Sequence, residues 1–133
     1  MPADAPKEPA RFAGHFPGRA AIDAYGGGGF RFAGMSHRGS ILCLADGVHA
    51  WPVTEAHELT LANLAPVLAK LERPQFLLLG TGRAQVFPSL EVRKAFAAKL
   101  IGLEIMDTGA AARTFNVLLA EHRPVNAALL VCD

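Results

Sequence analysis

Residues 75–83 read QFLLLGTGR. Gln75–Leu79 is a continuous apolar strand, the kind buried on both faces of a parallel sheet, and glycines follow it at once. Downstream, Ser89 is placed to cap a helix with Val92, Phe96 and Leu100 on one face and Glu91, Lys94 and Lys99 more exposed. Gly102 is expected to end that helix. Leu103–Met106 reads as a strand, and Thr108 as the cap of a third helix over Gly109–His122 that carries Ala111, Phe115, Leu118 and Leu119. Val125–Val131 reads as the last strand. A β-α-β-α-β run in about 60 residues implies right-handed crossovers and a parallel core.

Upstream of residue 75, Leu61, Leu64, Leu68 and Leu71 form the stripe of a half-buried helix capped by Thr60. Pro66 lies in that stripe and lacks an N–H, so the helix should either kink or begin near it. The first half reads as a β-meander. Ile22–Tyr25 and Phe30–Phe32 flank the glycines Gly26–Gly29, Met35–Gly39 reads as a turn, and Ser40–Ala45 and Val48–Pro52 flank an Asp46-Gly47 hairpin turn. The expectation is a single α/β domain over residues 20–133. It should have three layers and a mixed sheet, with the meander at its N-terminal side and the parallel unit at its C-terminal side. Residues 1–19, rich in Pro, Gly and Ala, are expected to be a flexible lead-in.

Composition narrows the function classes. The chain has 133 residues, 51% of them hydrophobic and 19% charged, which excludes global disorder. Thirteen Lys and Arg against twelve Asp and Glu leave a net charge of +1, which is no footprint for nucleic acid. Cys43 and Cys132 form no CxxC pair and read as small buried hydrophobes in a reducing compartment. No apolar stretch approaches the roughly 20 residues of a membrane span, and the N-terminus has no secretory h-region. A cytoplasmic location is the expectation.

Two loops could carry chemistry. Gly80-Thr81-Gly82-Arg83 follows the QFLLL strand, and Asp107-Thr108-Gly109, with Arg113 one turn on, follows the next parallel strand. Ligands of open α/β sheets bind beyond the carboxyl ends of the strands. Threonines, loop N–H groups and the two arginines there could hold a carboxylate or phosphate, with Asp107 the one plausible base. The alternative is a tight glycine turn and an ordinary helix cap, because Gln85 stands where a dinucleotide fingerprint needs its third glycine. Asn116, on an apolar helix face, either braces the Asp107–Gly109 loop or ties down a neighbouring strand. Trp51, fixed by Pro52, reads equally as an anchor for a partner or as a lid on the core. The histidines 15, 37, 49, 57 and 122 form no metal-ligand spacing. Ser40 lacks a nucleophile elbow, and Cys43, between Leu42 and Leu44, belongs to the core. No cofactor and no catalytic residue is assigned.

Several short motifs occur together in order. They are Ile22-Asp23-Ala24-Tyr25-Gly26 with Gly28–Phe32, Gly39–Leu42, Asp46-Gly47-Val48 with Trp51, Leu78–Gly82, Met106-Asp107-Thr108, Thr114–Leu118 and Glu121–Val125. Over residues 20–131 they resemble a small α/β family, a domain of unknown function, whose eukaryotic members include a mitochondrial respiratory complex I assembly factor. Phe115 stands where the family is expected to favour Tyr. The resemblance implies a three-layer α/β fold and no established reaction. It also implies protein partners, membrane-complex subunits or assembly proteins, met at the inner face of the membrane. A homo-oligomer is compatible with it. The expected function is therefore an accessory or assembly factor acting by protein–protein contact, and the alternative is an anion binder using the two-loop cleft.

Overall fold

The computed structural model describes residues 10–133. Its centre is a six-stranded mixed sheet built from both halves of the chain. Strands β6 (Ser40–Leu44) and β7 (Gly47–Trp51) form an antiparallel hairpin. Strands β8 (Phe76–Gly80), β9 (Gly102–Met106) and β10 (Asn126–Leu129) form the parallel unit. With the two-residue β2 (His15–Phe16), the order is β2-β7-β6-β10-β8-β9. β10 joins the halves, antiparallel to β6 and parallel to β8.

Strand alternation assigns the faces. Leu77 and Leu79 point to one side, where they meet Leu64 and Val67 of α1 (Leu61–Leu68) and Val92 and Phe96 of α2 (Leu90–Ala98). Leu78 points to the other, where it meets Ala111, Ala112 and Phe115 of α3 (Thr108–Ala120). Beside α3 lies a second, four-stranded sheet ordered β1-β5-β4-β3, made of β3 (Ile22–Gly26), β4 (Gly29–Phe32), β5 (Met35–Arg38) and β1 (Ala10–Arg11). Its Phe30 and Phe32 complete that second core. The three-layer α/β expectation holds, with the outer layer on the α3 side part helix and part sheet. Cys43 is buried there, and burial pushes its thiol up to about 12.

Several local expectations need correction. Met35–Arg38 is a strand rather than a turn. It pairs with β4 in the register Phe30↔His37, and its half-buried residues lack the apolar alternation that marks a strand. The β6–β7 turn is centred on Ala45-Asp46, because Gly47 already pairs with Leu44. In the β3–β4 hairpin, Gly27 and Gly28 have φ of 60° and 84°, the signs a type I′ turn needs. α1 begins at Leu61, where the Thr60 hydroxyl accepts from the Asn63 N–H, and it runs through Pro66. Residues 10–16 are not free of the domain. β1 and β2 pair with it, and Phe12 is buried edge-on to Phe32 with ring centroids 5.0 Å apart. Residues 1–9 of the expected lead-in lie outside the described residues.

The end of α2 also differs. Gly102 is not its terminator but the first residue of β9. Leu100 takes the left-handed position instead, at φ 61°, while its N–H donates to Ala97 and the Ile101 N–H donates to Phe96. The side chain is 60% exposed, so it gains little packing there. Leu100→Gly is therefore expected to raise stability by about 0.5–1 kcal/mol, after the extra unfolded-state freedom of glycine is counted. Urea unfolding checks this as a higher midpoint at unchanged slope.

Candidate functional site

The register Gly80↔Met106 places the loops after β8 and β9 side by side at the carboxyl edge of the sheet. They are tied to each other by hydrogen bonds. The Thr81 N–H donates to the Met106 carbonyl at 2.9 Å, and the Thr108 N–H donates to the Gly82 carbonyl at 2.8 Å. The Thr108 hydroxyl, wholly buried, accepts from the Gly82 N–H at 2.9 Å and donates to the Leu130 carbonyl at 2.8 Å. The Thr81 hydroxyl accepts from the Val86 N–H at 3.0 Å and points its proton toward the Ala84 and Met106 carbonyls. Both hydroxyls and three of the loop N–H groups, those of Thr81, Gly82 and Thr108, are thus spent on holding the loops together.

Asp107, not Thr108, is the N-cap of α3, and its carboxylate accepts from the Ala110 N–H at 2.8 Å. Thr108 falls inside the helix because its hydroxyl is needed across the sheet edge. Gly80, Thr81, Gly82, Arg83, Asp107 and Thr108 are brought together. Arg83 lines a cleft of about 440 Å³ with Gly28, Gly39, Glu55 and Cys132. The Cys132 thiol there is pushed up, first by burial and then by Asp133 and Asp107, against a lowering by Arg83.

The other predicted residues face elsewhere. Gly109 lies under the Tyr25 phenol, and Arg113 donates to the Tyr25 hydroxyl at 2.9 Å. Asn116 accepts from the Ile22 N–H and donates to the Ile22 carbonyl, each at 2.8 Å, so its amide serves as a one-residue partner for β3. Arg113 and Asn116 line a separate hollow with Asp23 and Tyr25. Trp51 is 6% exposed and packs in the first core, so it is the lid and not the presented anchor. Pro52, Ala62, Pro66 and Lys70 line a groove of about 350 Å³ beside it.

Sequence reasoning missed a run of exposed apolar residues. Val86 and Phe87, between β8 and α2, and Leu90, the first residue of α2, are 40%, 61% and 55% exposed. The segment is braced rather than loose. Thr81 holds Val86, the Gln85 amide donates to the Ile105 carbonyl of β9 at 2.9 Å, and Arg93 donates to the Pro88 carbonyl at 3.2 Å. The available signal was Phe87-Pro88 just ahead of the Ser89 cap, a position where no core stripe has begun. Among the described residues no three His, Cys, Asp or Glu side chains gather as a metal ion would need, and no helix is long and apolar enough to cross a membrane.

Residues 22–130 match the model of the family described as "Protein of unknown function (DUF498/DUF598)". The chain belongs to this family. The DUF498/DUF598 match takes in β3 through β10, which is the whole of the two sheets apart from β1 and β2. An uncharacterised protein of Rhodobacter capsulatus is 38% identical over 126 residues, covering 95% of this chain and 92% of that one. NADH dehydrogenase [ubiquinone] 1 alpha subcomplex assembly factor 3 of Mus musculus is 30% identical over 115 residues. That match covers 86% of this chain and 62% of the mouse protein. A crystal structure from Bartonella henselae, described as an outer membrane protein, is 45% identical with a TM-score of 0.77. It covers 90% of this chain and all of that one.

Proposed function

We propose that this DUF498/DUF598 chain is an accessory or assembly factor that works by protein–protein contact on a membrane respiratory complex, from the cytoplasmic side. The observation that carries this reading is the 30% identity to a complex I assembly factor across 86% of the chain. The surface that fits it is Val86-Phe87-Leu90. An aromatic anchor on a braced loop loses little conformational freedom on docking, and its partner is a protein face with a complementary apolar pocket. The anion-binding alternative has less support, because the groups meant to hold the anion are engaged within the loops and Arg83 is left as the main cation at the cleft.

The test is affinity purification of the tagged chain from its own cells in mild detergent, alongside a Phe87→Glu variant. Respiratory-complex subunits or assembly proteins are expected with the native chain and reduced about tenfold or more with the variant, as for a central aromatic anchor. Recovery that is equal in both samples removes the patch from the proposal. Recovery of no such protein from the native chain overturns the reading.

A further inference from the structure

The six-stranded sheet ends at β9, which pairs with β8 alone and is exposed or half-buried along its whole length. In a parallel ladder one residue turns its N–H and C=O to the neighbouring strand and the next turns them away. The Met106 carbonyl accepts from the Thr81 N–H, so Met106, Glu104 and Gly102 spend their backbone groups on β8. Leu103 and Ile105 therefore turn theirs outward. The Ile105 carbonyl accepts from the Gln85 side-chain amide at 2.9 Å. The Ile105 N–H and both backbone groups of Leu103 have no protein partner among the described residues. Gln85 comes from the loop after β8, and its amide stands where the N–H of an added strand would stand.

The side chains of β9 select what can be added. Leu103 and Ile105 pack against the first core. Glu104 lies on the opposite face, exposed, and no cation pairs with it among the described residues. A second copy of this chain fits poorly. The antiparallel register that engages the outward groups of both copies pairs Leu103 of each with Ile105 of the other. It also sets the two Glu104 carboxylates directly opposite one another, which destabilises a ladder. A strand with Lys or Arg opposite Glu104 reverses that sign. Apolar residues on either side of the cation would fall on the face of Leu103 and Ile105 and carry the first core outward.

We propose that β9 is a strand-addition site for an extended segment of a partner protein with the pattern apolar–basic–apolar. The segment lies antiparallel to β9 with its cation on Glu104. The N–H of its residue facing Ile105 displaces the Gln85 amide. Main-chain bonds supply the affinity, and Glu104 supplies the choice between this segment and a second copy. The inference rests on the protein-contact reading above and gives the chemistry of the partner. Val86 and Phe87 follow Gln85 directly in the chain, so one partner can meet both the edge and the apolar patch.

The test is a titration of the isotope-labelled full chain with the blocked peptides acetyl-TVKVT-amide and acetyl-TVEVT-amide, followed by amide NMR. The Leu103 and Ile105 amides are expected to shift with the lysine peptide, half-saturating at about millimolar concentration as a short flexible ligand should. The glutamate peptide is expected to bind about fivefold more weakly or worse. Glu104→Lys, at an exposed position, is expected to reverse that preference, and an unmoved Leu78 amide shows that the variant is folded. The proposal is overturned if the lysine peptide leaves Leu103 and Ile105 unmoved, or if the two peptides bind equally to the native chain and to Glu104→Lys. Exchange protection of these two amides that rises with protein concentration, without peptide, assigns the edge to a second copy and also overturns it. The two readings fail separately. Respiratory-complex proteins recovered with the native chain, but no peptide response, remove the strand site alone. A peptide response without such recovery removes the assembly reading and leaves strand addition standing.

Discussion

Gly47→Ala is expected to destabilise the protein by about 3 kcal/mol or more, because two penalties fall on one methyl group. Gly47 has φ 133°, a left-handed conformation that side-chain-bearing residues avoid. A Cβ there would also press into the Phe16 carbonyl oxygen, closer than carbon and oxygen can approach, and would stand 2.8 Å from His15 Nε2. Backbone cannot rotate aside as a long side chain can. Either the β6–β7 turn distorts or β2 leaves its place. Urea unfolding of the variant measures the total cost. Loss of amide-exchange protection at Ala50, whose N–H donates to the Gly14 carbonyl, without loss at Leu78, would show that β2 is the part that yields. A midpoint indistinguishable from the native one would mean that β2 does not cross the turn as closely as described.

Thr108→Val should cost about 2–4 kcal/mol although it conserves shape, since a buried hydroxyl that serves two partners is lost. The Gly82 N–H and the Leu130 carbonyl both depend on that oxygen. Thr108 is wholly buried, so water does not replace it. Thr108→Ser keeps the hydroxyl and removes only a methyl, and it should cost about 1 kcal/mol. The comparison of the two variants isolates the bridge. Equal costs for Val and Ser would show that packing, not the hydroxyl, holds the two loops together.

The parallel unit was legible in the sequence because its signals are local. Phe76–Leu79 is apolar on both faces, Ser89 caps α2 through the Val92 N–H, and the stripe through Val92 and Phe96 has helical spacing. What escaped depends on distant partners. Met35–Arg38 is strand only because β4 and β1 lie on either side of it. Asp107 and Thr108 are equally good caps by residue type, and the Leu130 carbonyl decides between them by claiming the Thr108 hydroxyl. The loops after β8 and β9 do lie side by side at the strand ends, yet the availability of their groups is set by hydrogen bonds across the sheet edge, which spacing does not reveal. His15 and His49 looked scattered because their meeting is a matter of strand pairing. Trp51 could be read either way, since a tryptophan at a strand end is common both in lids and in anchors.

The position of β10 has a consequence for biosynthesis. The β6–β7 hairpin and the β8–β9 pair share no ladder of their own, and both wait for residues 126–129 to slot between them. A nascent chain that has not yet delivered those residues holds two half-sheets, each with an apolar edge and unpaired backbone groups. Such edges template pairing between chains. The sheet therefore cannot close until residues 126–129 have been made, and any pause or truncation ahead of Asn126 leaves an aggregation-prone intermediate rather than a smaller folded domain.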